Sequence, residues 1–223
     1  MSGAGRAALI FDLDGTLVDS APDIAAAVDS ALTDEGAAPM GLAAVRRMIG
    51  GGVGVLIERV MAARGEPPDP ARHAELRRRF LRHYEGAPAA MTRPYPGAPE
   101  ALAHLAAEGH RLGLCTNKPE AIARSLLGAL GLADLLETVV GGDTLPVCKP
   151  DPAPLRAALA ALGGGAALYV GDSEVDARAA AAAGMPLLLF TEGYRAAPIE
   201  ALTHAGAFSR FADLPALVAR LSP

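Results

Sequence analysis

The chain has 223 residues, half of them hydrophobic and a fifth charged, with a net charge of −5 and two cysteines. This is a globular composition, with length enough for one large domain or one domain carrying an insertion. The absence of any basic block argues against nucleic acid or an anionic membrane as partner, and Cys115 and Cys148 are too few for a disulfide scaffold.

No apolar stretch reaches the roughly 18 to 20 residues needed to span a bilayer. Met1–Phe11 also lacks the apolar core and cleavage site of a signal peptide. A cytoplasmic location is expected.

In chain order, the apolar run Ala7–Phe11 reads as a buried strand that breaks into a turn at Asp12-Leu13-Asp14-Gly15-Thr16. Residues Ala21–Met91 then show helical patterns and no convincing strand. Ile24, Val28 and Leu32 recur every four residues, with Pro22 suited to a first turn. A second helical stretch carries Leu42, Val45, Arg46 and Ile49 and stops at Gly50-Gly51-Gly52. A third covers about Val55–Arg64, Pro67-Pro68-Asp69-Pro70 interrupts, and a fourth covers Ala71–Glu85. Four short helices in succession suit a small bundle.

From Tyr95 the pattern alternates. Helices at about Ala98–Glu108, Glu120–Leu130, Pro152–Leu162 and Asp176–Ala183 lead to strands Leu112–Cys115, Thr138–Val140, Ala167–Val170 and Pro186–Phe190. Such alternation predicts an α/β fold, a Rossmann-like parallel sheet with helices on both faces. The first strand has no partner until after the helical segment, so it joins this sheet. The expected division is a core of residues 1–18 and 94–223, interrupted by a helical insertion of residues 19–93.

The ends of these strands carry the polar residues. Asp12 and Asp14 follow the first strand, and two carboxylates two residues apart call for a shared cation or proton. Thr116-Asn117-Lys118 follows the strand Leu112–Cys115, Gly141-Gly142-Asp143 leads on to Lys149, and Gly171-Asp172-Ser173-Glu174-Val175-Asp176 follows Ala167–Val170. In an open α/β sheet, ligands bind at the carboxyl ends of strands. These residue types suit phosphoryl transfer, which needs donors and positive charge on the phosphate, an in-line nucleophile and a metal. Thr116, Asn117 and Lys149 can supply donors, and Asp12 and Asp172 can hold Mg²⁺, a hard cation that prefers oxygen. Asp12, Asp14, Asp172 and Asp176 against Lys149 alone leave a strongly negative site, which a cation and a proton on Asp14 would relieve.

Phe11-Asp12-Leu13-Asp14-Gly15-Thr16-Leu17-Val18-Asp19-Ser20 resembles the first motif of the haloacid dehalogenase-like superfamily, and the other three clusters resemble its later motifs in order. The resemblance implies a phosphatase in which Asp12 is the nucleophile and forms an aspartyl-phosphate. Asp14 would act as general acid and then general base. Thr116 and Lys149, assisted by Asn117, would bind phosphate. Asp12, the main-chain carbonyl of Asp14, and Asp172 would ligate Mg²⁺, with Asp176 and Ser173 orienting its waters.

Asp14 argues against the dehalogenase and ion-pump branches, which lack an aspartate there. A helical insertion between the first two motifs is similar to the cap of the phosphoglycolate phosphatase and β-phosphoglucomutase branch. The implied substrate is a small phosphoester, 2-phosphoglycolate foremost, taken by a monomer or homodimer. The alternatives left open are a sugar phosphomutase and phosphatases of other sugar phosphates or nucleotides. A carboxylate on the leaving group suits a bidentate arginine, for which Arg47, and after it Arg46, are expected to reach into the cleft beside the Gly50–Gly52 loop.

Overall fold

The computed structural model describes residues 6–86 and 89–221. Strand β1 (Ala8–Phe11) is buried on both faces, and the twofold period of a strand divides its side chains between two cores. Leu9 and Phe11 enter one hydrophobic cluster, and Ala8 and Ile10 enter another on the opposite face. A two-residue strand β2 (Val18–Asp19) leads into helices α1 (Ala21–Thr33), α2 (Leu42–Arg46), α3 (Gly52–Ala63) and α4 (Pro70–Gly86). The chain returns through β3 (Arg93–Pro94), which pairs antiparallel with β2.

Beyond this ribbon lie α5 (Ala98–Ala107), β4 (Arg111–Cys115), α6 (Glu120–Ala129), β5 (Thr138–Val140) and α7 (Ala153–Ala161). They are followed by β6 (Ala167–Gly171), α8 (Glu174–Ala183), β7 (Leu187–Phe190), β8 (Gly206–Phe208) and α9 (Leu214–Leu221). The sheet runs in the order β5-β4-β1-β6-β7-β8, with every pairing parallel. Residues of α5, α6 and α9 cover one face and residues of α7 and α8 the other, as parallel sheets require. β1 is central. Its register sets Phe11 beside Leu114 and Val170, so Asp12, Thr116 and Asp172 all leave the same sheet edge.

The helices α1–α4 bury Ile24, Val28, Leu32, Val45, Leu56, Val60, Leu76 and Phe80 in a third cluster, to which only Ile122 is added from the buried residues of the sheet region. Asp23, 4% exposed, binds the returning chain to the outgoing one. Its carboxylate accepts from the main-chain N–H of Met91 and Thr92 and from Thr92 Oγ1. Three donors on one buried carboxylate hold the two crossings side by side.

Some expected boundaries shift. α2 ends at Arg46 rather than near Ile49, and α3 starts at Gly52, so the glycine run is a joint between helices as well as a stop. α8 begins at Glu174 because Ser173 and Asp176 form a reciprocal capping box. The β2–β3 ribbon, β8 and α9 have no counterpart among the predicted elements. Among the described residues, no helix is long and apolar enough to cross a membrane.

Candidate active site

Asp12 stands at the carboxyl end of the central strand, buried to all but 7%. Its Oδ1 forms an ion pair with the Lys149 ammonium at 3.0 Å, off the line of a well-formed hydrogen bond. Burial pushes the Asp12 carboxyl up to about 7; Lys149 opposes the shift, and Asp176 and Asp14 add to it.

Asp172, 1% exposed, is held from two sides. Thr16 Oγ1 donates to its Oδ1 at 2.7 Å, and the main-chain N–H of Tyr194 to its Oδ2 at 2.6 Å. Gly15, at φ +86°, allows this approach, since a Cβ there would lie 2.6 Å from Asp172 Oδ2. Burial, then the charges of Asp176 and Asp12, drive the Asp172 carboxyl well above its ordinary value.

One oxygen each of Asp12, Asp172 and Asp176 lies within 4.8 Å of the others. Three buried carboxylates face one ammonium, an excess of negative charge that a low-dielectric site does not tolerate alone. The donors are all oxygen, as Mg²⁺ prefers, and Asp12 Oδ1 carries no well-formed hydrogen bond that a cation would have to displace. The residues fit the metal.

Asp176 is held by protein groups on both oxygens. Oδ1 accepts from Lys149 Nζ at 2.8 Å and from the Tyr169 hydroxyl at 2.7 Å. Oδ2 accepts from the main-chain N–H of Asp172 and Ser173 and from Ser173 Oγ. Burial alone would raise its carboxyl, yet Lys149 and these hydrogen bonds bring it below the ordinary value. Ser173 is the N-cap of α8. Both residues are thus engaged by protein groups and brace Lys149 and the Asp172 turn. The Lys149 ammonium, against the pull of burial, is raised by Asp12 and Asp176 and stays charged. The Lys149–Pro150 peptide bond is cis.

Asp14 lies apart from the carboxylate cluster. Lys118 Nζ contacts its two oxygens at 2.8 and 3.0 Å, and Ser20 Oγ donates to Oδ1. Lys118 stood in the sequence without an assigned part, because nothing in Thr-Asn-Lys marks which way the lysine turns. Asn117, expected to assist through its amide or its main-chain N–H, has its side chain engaged by the protein. Its side-chain amide donates to the carbonyls of Lys149 and Gly50 and accepts from Lys149 N–H, so it laces β4 to the Lys149 loop and to the helical segment. Only its main-chain N–H is left to offer a phosphate. Thr116, 3% exposed, lines the same cleft as Asp12, Asp14 and Lys118.

The far wall of that cleft is apolar, built from Ile24, Ile49, Val53, Leu56 and Phe80 with Tyr84 at its edge. Arg46 and Arg47 do not line it. Arg46 reaches Asp19 at 2.8 Å and lies 5.1 Å from the centre of the Tyr194 ring, while Arg47 is exposed. α2 stops at Arg46, before the glycines, and Arg46 is engaged with Asp19 instead of lining the cleft. Tyr194, also missed by the sequence reading, donates to Asp19 and accepts from the N–H groups that open α1. It comes from a loop after β7 that carries no motif.

A family model described as haloacid dehalogenase-like hydrolase matches residues 7–184. A phosphoglycolate phosphatase of Cereibacter sphaeroides is 59% identical over 213 residues, covering 96% of this chain and 98% of that protein. A phosphoglycolate phosphatase of Rhodospirillum rubrum is 50% identical over 93% of this chain and 88% of its own length. Among solved structures, a predicted phosphoglycolate phosphatase from Haemophilus somnus superposes with a TM-score of 0.89 at 32% identity, covering 97% of this chain and all of that one. On this agreement of sequence, fold and acidic strand ends, the chain belongs to the haloacid dehalogenase-like hydrolases.

Proposed function

We propose that this protein is a Mg²⁺-dependent phosphatase that hydrolyses 2-phosphoglycolate to glycolate and phosphate through a phosphorylated Asp12. The observation that carries this reading is the buried Asp12 carboxylate, paired with Lys149 and close to Asp172, on a cleft that Asp14 also lines. The similarity to relatives named phosphoglycolate phosphatase supports the choice of substrate.

Asp12 attacks phosphorus, and the bond to the leaving oxygen breaks. Asp14 gives its proton to the departing glycolate oxygen and then takes one from the water that cleaves the acyl phosphate. Lys149, Thr116 and the main-chain N–H of Asn117 draw the phosphate oxygens towards the nucleophile. Asp12, the carbonyl of Asp14, and Asp172 would hold Mg²⁺, which when bound offsets the charge of nucleophile and phosphate together. Residues 19–93 act as a cap over a core of residues 1–18 and 94–223. The apolar wall of the cap keeps bulk water from the phosphorylated enzyme. The enzyme works in the cytoplasm on a small-molecule phosphoester.

Comparing kcat/KM for 2-phosphoglycolate, glucose phosphates and nucleoside monophosphates under Mg²⁺ tests the substrate. A clear preference for a sugar phosphate, or dependence on a glucose bisphosphate, would replace this reading with the phosphomutase one. Retained Mg²⁺-dependent activity in Asp12→Asn would overturn the mechanism.

A further inference from the structure

Phosphoglycolate brings a carboxylate into a cleft whose far wall is hydrocarbon. An anion buried there needs a counter-charge and hydrogen-bond donors. Among the described residues that line the cleft, Lys118 is the one cation. Its side chain is 2% exposed. Burial works against its charge, but Asp14 and Tyr84 carry the ammonium above its ordinary value, so it remains protonated.

Lys118 links two elements. From the β4 edge its ammonium reaches Asp14, and at 2.6 Å it donates to the hydroxyl of Tyr84 on α4. The Tyr84 oxygen therefore accepts, and its own hydrogen has no acceptor among the described residues. Burial pushes the Tyr84 hydroxyl up to about 12, so that hydrogen is retained. The ammonium and the neutral hydroxyl line the cleft side by side; the hydroxyl has a hydrogen to donate to a small anion, and the ammonium, whose three donors serve Asp14 and Tyr84, can redirect one to it.

We propose that Lys118 and Tyr84 form the receptor for the carboxylate of the leaving group, one half supplied by the sheet and the other by the helical segment. This deepens the phosphoglycolate reading and rests on it. When the substrate carboxylate arrives, Lys118 shares its donors between that anion and Asp14. Tyr84 completes the pair only while α4 is packed over the cleft, so an anionic leaving group draws the two parts of the molecule together. A phosphoester without that charge leaves the receptor unfilled.

The test compares 2-phosphoglycolate with 2-hydroxyethyl phosphate, which has the same skeleton with a hydroxymethyl group in place of the carboxylate. The quantity read is the ratio of their kcat/KM values, which cancels any effect of Lys118 on Asp14 common to both substrates. Lys118→Met should lower the ratio by on the order of 100-fold, and Tyr84→Phe by about 10-fold. Lys118→Arg, which keeps the charge, should retain most of it. A high wild-type ratio that neither Lys118→Met nor Tyr84→Phe moves, with both substrates falling alike, would overturn the receptor and leave the substrate reading intact. A wild-type ratio near one would instead overturn the substrate reading, and the receptor with it. Tyr84→Phe removes one buried oxygen only, so it keeps the comparison decisive should Lys118→Met fail to fold.

Discussion

The Lys149 ammonium and the Asp176 carboxylate meet at 2.8 Å, with side chains only 1% and 0% exposed. Tyr169 closes the triangle, accepting from Lys149 at 2.7 Å and donating to Asp176. A buried pair of this kind contributes little net stability as a pair, but removing one partner strands the other. Asp176→Asn should therefore lower unfolding free energy by about 3 to 5 kcal/mol. It should also reduce kcat by loosening the lysine beside Asp12. Denaturant titration and steady-state kinetics on the same preparation check both effects. A variant as stable as the wild type would show that the capping hydrogen bonds, not the ion pair, are what Asp176 supplies.

Asp12 poses the opposite case. Its carboxyl titrates from 3.8 in the unfolded chain to about 7 in the folded protein, through burial first. The folded protein thus binds more protons between these values, and Asp12 costs stability progressively as pH rises through that window. Metal-free Asp12→Asn should be inactive yet more heat-stable than metal-free wild type at about pH 8, with the gap clearly narrower at about pH 5. Mg²⁺ should likewise raise the melting temperature of the wild type more at the higher pH. Thermal denaturation with and without chelator, at both pH values, reads this out. A gap independent of pH would contradict it.

Gly193 packs its bare α-carbon directly against Asp172, and an added Cβ would fall inside that side chain. The flexible end of Asp172 cannot yield freely, because Thr16 and the Tyr194 N–H hold both oxygens. Gly193→Ala should displace the carboxylate and weaken Mg²⁺ binding by roughly 10- to 100-fold. Substrate KM at saturating Mg²⁺ should change far less. The Mg²⁺ dependence of activity and direct metal titration test this, and an unchanged metal affinity would mean that Asp172 does not hold the ion.

Much of the fold was legible because apolar period and punctuation agree. β1, β4, β5, β6 and β7 lie within a residue or so of their predicted runs, since each is a short apolar stretch closed by a polar cluster or a glycine. β8 was not legible: Gly-Ala-Phe carries almost no strand signal, and it becomes a strand by pairing with Leu188–Phe190 at the sheet edge. The β2–β3 ribbon joins Val18–Asp19 to Arg93–Pro94 across the whole helical segment, a contact with no local trace. The pairing of Arg46 with Asp19 and the Tyr194 ring has no local trace either. A helical run shows that side chains project, but where α2 ends decides the direction in which they point.

The sequence by itself determined which chemistry this protein can carry. Acids, a threonine and a lysine at the ends of apolar runs are a local pattern, and parallel strand order brings such ends to one edge. Tertiary structure alone decided how those groups share their charges. It set Lys118 on Asp14, engaged Asp176 with Lys149 and the α8 cap, and left one oxygen of Asp12 without a hydrogen bond. The physical reason is that pairing among buried ions depends on distances of a few ångströms and on desolvation, and Lys118 with Asp14 or Lys149 with Asp176 come from segments 104 and 27 residues apart whose approach no local pattern records.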